Sequence, residues 1–296
     1  MPKDRLDGAG LAILLGVQSL LAVNQITVKL VNAGLQPVFF AGLRSALAIG
    51  FVWAWLAWKG RPPRLQRHVL GQGLLIGAVF AAEFLLLFVA LDLTTVGRAS
   101  VLMYSMPLWF AFLAHFGLSE RITPPKAAGL ALAFCGTAWA ILAGARGGEG
   151  NLIGDFCALG AALCWAATAY IARRPVMRQI GPEMQLFWMV LVSAPLLLVV
   201  SPLFGPLIRD LQPIHLVYLG LQSSVVVAGG FITWLWLLSA YPASTVAAFS
   251  FLSPILAILF GALVFGETLS PAILGPGVLV ALGIILINRA AASRRG

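Results

Sequence analysis

The sequence predicts an all-α membrane protein of about ten transmembrane helices, arranged as two inverted five-helix repeats around a central cavity. Three observations carry this expectation. The first is composition: 60% of the 296 residues are hydrophobic, 10% are charged, and the mean hydropathy is +0.97. Soluble domains carry roughly 25% charged residues. So few polar residues cannot cover a soluble core, and lipid must be the solvent over most of the surface. The second is a series of apolar runs, each near the ~20 residues that a spanning helix needs. The third is repetition: Pro107 and Pro254 stand 147 residues apart, as do Glu120 and Glu267. The same offset pairs Gly73 with Gly220, Phe84 with Phe231, Pro124 with Pro271 and Gly136 with Gly283.

In chain order the runs cover 8–31, 37–58, 69–91, 97–118, 124–143, 151–172, 183–203, 214–238, 244–265 and 272–289. The first follows Lys3 and Arg5, as in a signal peptide, but it exceeds the roughly 7–15-residue apolar core of one, and the repeat needs it as a helix. Pro62-Pro63, Pro124-Pro125, Pro175, Pro182, Pro213, Pro242 and Pro271 mark the gaps. The fourth and ninth runs hold Pro107 and Pro254 at mid-length, where a proline removes an amide donor and frees the carbonyl of Met103 or Ser250. These two prolines are the candidate hinges. Gly77-x-x-x-Ala81 and Gly129-x-x-x-Ala133 offer close helix contact. The runs are too long and too evenly apolar for an outer-membrane barrel.

Charge orients the bundle. With a cytoplasmic N-terminus, fourteen Lys and Arg residues lie on the inner side and four (Lys29, Arg98, Arg146, Arg209) on the outer. That is a positive-inside bias, with both termini inside, and it accounts for the net charge of +9 without nucleic acid as a partner. Each half has an odd number of spans, so the second half enters from the opposite face. The halves divide as 1–147 and 148–296. The absence of an Asn-x-Ser/Thr sequon agrees with a bacterial inner membrane.

The proline-centred fourth and ninth runs each end in a glutamate, Leu118-Ser119-Glu120-Arg121 and Phe265-Gly266-Glu267-Thr268. A basic residue closes the first run of each half, Lys29 and Arg173. These features resemble the EamA repeat of the drug/metabolite transporter superfamily, over nearly the whole chain. Within that family the chain is most similar to the YddG-type exporters of aromatic amino acids. The resemblance implies ten helices in two inverted repeats, a central cavity, and efflux of small metabolites without an ATP site. One departure stands out: the second half has no arginine where the first has Arg44.

No enzyme chemistry is legible. His68, His115 and His215 lack metal-ligand spacing, and there is no phosphate-binding Gly-Lys-Ser/Thr loop, so neither metal nor cofactor is expected. Cys135, Cys157 and Cys164 fall inside runs as small packing residues. His115 reads as structural, and Trp109 and Tyr241 as members of the interfacial aromatic belt.

Polar residues at membrane depth are costly and therefore point to function. At 1.5 Å per residue, Asn24, Arg44, Glu83 and Tyr104 fall at similar depth, roughly 10 Å inside the outer ends of four helices. Their counterparts in the second half are Thr168, Met189, Gly230 and Phe251, so the layer is not duplicated. Trp165 lies deep in the sixth run, where its ring can stack on an apolar substrate. These five residues form the candidate substrate site, with Arg44 facing a carboxylate and Glu83 an ammonium group. Their bland alternatives are a structural Arg44–Glu83 pair, an interhelical hydrogen bond from Asn24, and packing roles for the rings. The expected function is export of amino acids, aromatic ones included. Two other classes were weighed. A nucleotide-sugar carrier needs a strongly basic cavity, and a membrane-embedded enzyme needs paired catalytic groups. The sequence shows neither.

Overall fold

The computed structural model describes residues 6–31, 33–93, 96–144, 151–265 and 274–292. The α-helices in chain order are α1 (Gly8–Val31), α2 (Pro37–Trp58), α3 (Arg67–Leu93), α4 (Val96–Met103), α5 (Met106–Gly117), α6 (Pro124–Gly144), α7 (Leu152–Ala172), α8 (Pro175–Val200), α9 (Pro213–Leu221), α10 (Ile232–Ala240), α11 (Ala243–Ala248), α12 (Leu252–Phe265) and α13 (Leu274–Ala292). A π-helical stretch, Gln222–Phe231, joins α9 to α10. No strand occurs among the described residues; Leu35 and Ile208 make one isolated antiparallel bridge. Five helical stretches are long and apolar enough to cross a membrane: Pro37–Trp58, Arg67–Ala90, Leu152–Ala172, Pro175–Phe204 and Pro213–Ala240. Shorter apolar stretches accompany them, including Gly8–Asn24 within α1 and Val101–Gly117 across α4 and α5. The protein is an all-helical, multi-pass membrane protein.

Prolines start α2, α6, α8 and α9, where a missing N–H costs nothing because the first turn has no intrahelical acceptor. Helix α8 begins earlier than the expected 183, at Pro175. It swivels at Gly181, whose φ of 78° is in the left-handed region open to glycine, before Pro182 restarts it. The fourth run is not one helix. It breaks at Tyr104-Ser105, so Pro107 sits in the first turn of α5 rather than in mid-helix. Pro254 likewise sits in the first turn of α12, after a 3₁₀ turn at Phe249–Phe251. In both cases the break precedes the proline. Ser105 stabilises its break by donating its hydroxyl to the Leu102 carbonyl while accepting the Trp109 indole N–H at 3.0 Å. Trp109 thus serves the break and packs on the core instead of standing in an interfacial belt.

Helix α2 packs on α8 and α6 on α13; α3 lies along α7 and α8, while α1 meets α9, α10, α12 and the π-helical stretch. The α6–α13 contact is backbone to backbone. A Cβ on Gly129 would stand 2.7 Å from the Gly283 carbonyl, and one on Gly283 would stand 2.6 Å from the Ala133 amide. The Gly129-x-x-x-Ala133 motif is used as expected. Gly77 makes room for Val192 and the Trp188 carbonyl of α8. The α2–α8 pair is tied at both ends. At one end Lys59 donates to Glu183 at 3.0 Å. At the other, the Gln36 amide donates to the Leu207 carbonyl and the Arg209 amide to the Gly34 carbonyl, both at 3.0 Å. The core is aromatic at its centre, with Trp188, Phe40, Phe80, Phe110 and Phe251 fully buried.

Candidate functional site

Helix α2 buries the face carrying Ala41, Arg44, Ser45, Ala48 and Val52, at the three- and four-residue spacing of one helical stripe. Arg44 is therefore turned into the protein, 3% exposed, with its guanidinium carbon 4.4 Å from the centre of the Phe84 ring. A cation over an aromatic face is attracted by the ring quadrupole, the more so when desolvated. Helix α3 buries Ile76, Phe80, Glu83 and Phe84, and Glu83 is also 3% exposed. Arg44 and Glu83 feel each other's charge. No hydrogen bond or close ion pair joins them among the described residues. Arg44 Nε and Nη2 and Glu83 Oε2 are buried without partners. A buried charge left in that state is costly, so the arrangement is open to a ligand.

From Arg44 a band of rings crosses the molecule. Phe84 lies 5.0 Å edge-on to Phe80, and Phe80 lies 5.5 Å from Phe231. Phe231 is 6.4 Å from Trp234, Trp234 is 6.3 Å from Trp165, and Trp165 is 6.3 Å from Tyr104. These separations are those of attractive aromatic pairs. The rings come from α3, the π-helical stretch, α10, α7 and the α4–α5 break, hence from both halves of the chain. Trp234 adds a buried indole N–H without a partner. The Glu83 charge is also felt at Cys164, the residue before Trp165.

Arg44, Glu83, Tyr104 and Trp165 thus belong to one aromatic-lined array. Asn24 lies against the π-helical stretch. Its backbone carbonyl accepts from Gln222 Nε2 at 3.4 Å, and its side-chain oxygen and that of Gln222 are both buried without partners. Gln222 opens the π-helical stretch, a geometry that is rare and concentrated at functional sites. Nearby hydroxyls help widen the helix: Ser223 donates to the Leu219 carbonyl, Ser224 to Gly220 and Thr233 to Gly229, at 2.7–2.8 Å. Thr168, the repeat counterpart of Asn24, is buried with an unpartnered hydroxyl, so a polar position does recur there.

Sequence reasoning missed Phe80, Phe231, Trp234 and Gln222 as site residues. Phe84 and Phe231 did show as a repeated pair, but an apolar ring in an apolar run carries no mark of which way it faces. Tyr241 is a further correction. It is 2% exposed, and its hydroxyl donates to Asp7 at 2.7 Å, so it is a buried tie rather than an interfacial ring. His115 and His215 accept backbone N–H groups of Ile122 and Gln212, which are structural roles. Among the described residues no group of His, Cys, Asp and Glu is gathered as metal ligands would be.

Known proteins of similar sequence share this plan. Over 96% of this chain and 98% of its own length, "Uncharacterized transporter YoaV" of Bacillus subtilis (strain 168) is 24% identical. A "Probable amino-acid metabolite efflux pump" of Escherichia coli (strain K12) is 27% identical over 92% of this chain and 93% of its own. A "Probable terminal-alkyne amino-acid exporter" of Streptantibioticus cattleyicolor is 28% identical over 67% of this chain and 66% of its own. One crystal structure superposes with a TM-score of 0.83 at 20% identity, covering 97% of this chain and 99% of the other, and shows the same fold. The EamA-like transporter family matches the chain twice, at residues 8–142 and 152–289, and the chain therefore belongs to that family of membrane transporters.

Proposed function

We propose that the protein exports small metabolites, namely amino acids including aromatic ones, by alternating access across a bacterial inner membrane. Its ten spans form two inverted repeats, 1–147 and 148–296, with both termini cytoplasmic. The observation that carries the substrate class is the unpartnered chemistry at the end of the aromatic band. Two buried guanidinium donors on Arg44 match a carboxylate, and one buried Glu83 oxygen matches an ammonium group. With Glu83 ionised the two charges cancel, which suits a zwitterion and disfavours a polyanion such as a nucleotide sugar. The rings of Phe80, Phe84, Phe231, Trp234 and Trp165 supply flat apolar walls for the side chain. Relatives named as amino-acid exporters point the same way. The cross-half pairing of α2 with α8 and of α6 with α13 supports the inverted repeat.

The test is flux of a panel of labelled solutes through purified protein in liposomes. Phenylalanine, tyrosine and tryptophan should show saturable counterflow, while aspartate, lysine and a nucleotide sugar should not. Saturable flux of the nucleotide sugar with none for any amino acid would overturn the proposal.

A further inference from the structure

We propose that Glu120 is the centre of a latch that closes one mouth of the transporter by joining its two halves, and that transport requires this latch to open. The proposal rests on the transporter reading above, though not on the identity of the substrate.

Helix α5 ends at Gly117, and Ser119 then takes φ 58°, a left-handed turn. The Glu120 amide folds back to the Ala114 carbonyl at 3.1 Å, so its backbone is anchored to the first half. Its carboxylate makes its hydrogen bonds to the second half. It accepts the Ala243 amide at 3.1 Å, the Ser244 amide at 3.3 Å and the Ser244 hydroxyl, the donors of the first turn of α11. Helix α11 leads directly to the break at Phe249–Phe251. Arg173, at the end of α7, has Nη2 3.7 Å from Glu120 Oε1, and its Nη1 donates to the carbonyls of Leu238 and Ser239 at the end of α10. Lys126 of α6 brings Nζ to 3.8 Å from Glu120 Oε2. Burial pulls the Arg173 guanidinium below its ordinary value; the Glu120 carboxylate opposes this, and Arg178 adds to the lowering. The Asp7–Tyr241 bond lies beside the cluster and ties the start of α1 to the turn before α11.

One carboxylate from the first half thus meets the ends of two helical segments of the second, α11 and α7, and reaches α10 through Arg173. Its contacts with Arg173 and Lys126 are longer than hydrogen bonds, and all three groups reach water once the mouth opens. Such a cluster exchanges for hydration at little net cost, because desolvation offsets most of its Coulomb gain. The apolar, glycine-mediated contacts of α6 with α13 have no such exchange available. The weak polar seam is therefore where the halves part.

The test is reagent access just behind the latch. In protein with Cys135, Cys157 and Cys164 replaced by alanine, Thr168→Cys places a thiol about one turn inside Arg173, at a position that is 1% exposed. Glu120→Gln and Arg173→Gln should each speed its labelling by a charged maleimide about tenfold, the factor that one charge-assisted hydrogen bond supplies. The double variant should label no faster than the faster single variant, because both act on one contact. Glu120→Gln keeps an oxygen for the α11 amides, and an unchanged melting midpoint would show that the fold is intact. If it fails to fold, Ser244→Ala must show a smaller rise in labelling. Unchanged labelling in folded variants, or additive effects in the double, would overturn the latch. Labelling needs no substrate, so this outcome is independent of the flux panel.

Discussion

Glu83 and Arg44 lie close enough to share an electrostatic environment yet make no hydrogen bond to each other, and each keeps buried polar atoms without partners. A purely structural pair would close that gap, since an unsatisfied buried charge is among the most destabilising features a core can hold. Glu83→Gln keeps the shape and removes the charge. It should lower amino-acid flux by about 10- to 100-fold, as expected for loss of a hydrogen bond to a charged partner, while leaving the protein folded. It should also flatten the dependence of flux on pH if Glu83 carries a proton during exchange. Wild-type flux and pH profile in the folded, reconstituted variant would reduce Glu83 to a structural neighbour of Arg44. Glu83 and Glu120 are thus proposed to have separate tasks, one at the substrate site and one at a mouth.

At the scale of elements, the informative features are interruptions. The break at Tyr104-Ser105 and the 3₁₀ turn at Phe249–Phe251 precede Pro107 and Pro254 by the same few residues in each half. Proline in a first turn is unstrained and keeps the two helical pieces separate, because its nitrogen cannot bond back across the break. We propose these breaks as the hinges. Pro107→Ala and Pro254→Ala each supply the missing N–H and allow the pieces to fuse. Transport should slow roughly fivefold, about 1 kcal/mol on the conformational step, with substrate binding retained in equilibrium measurements. Unchanged rates in both variants would mean that the breaks are rigid. The π-helical stretch has no counterpart in the regular α3, although the two occupy matching places in the repeat.

At the scale of the whole molecule, two helix pairs frame the site. Helices α2 and α8 are tied at both ends, and α6 and α13 touch through glycine. Between these fixed pairs lie the aromatic band and the Glu120 cluster, where the halves meet through rings and charges. The proposed orientation has a direct check. In the cysteine-free background, Arg64→Cys and Asp210→Cys are both exposed and belong to connections at opposite ends of the bundle. An impermeant maleimide added to intact cells should label Asp210→Cys and spare Arg64→Cys; labelling of Arg64→Cys from outside would invert the topology.

Composition and the apolar runs by themselves determined the helical membrane class and the approximate ends of most helices, because lipid solvation and helix rise act on every residue alike, while the family was legible only through the resemblance of the glutamate-ended proline runs. Proline positions marked the starts of α2, α6, α8 and α9, because a first turn needs no N–H. Depth was also legible, since it needs only a count along the helix axis, and it singled out Arg44, Glu83 and Tyr104 together. Direction around the axis was not. Helices that are apolar on every side carry no polar face to orient them, so packing alone decides which side of each helix looks inward. That is why the contact of Asn24 with Gln222 and of Tyr241 with Asp7 could not be foreseen, and why Phe231 and Trp234 joined the band unannounced. Only the tertiary structure could bring Glu120 to Ser244, because that contact joins residues from opposite halves and depends on how the halves close on each other.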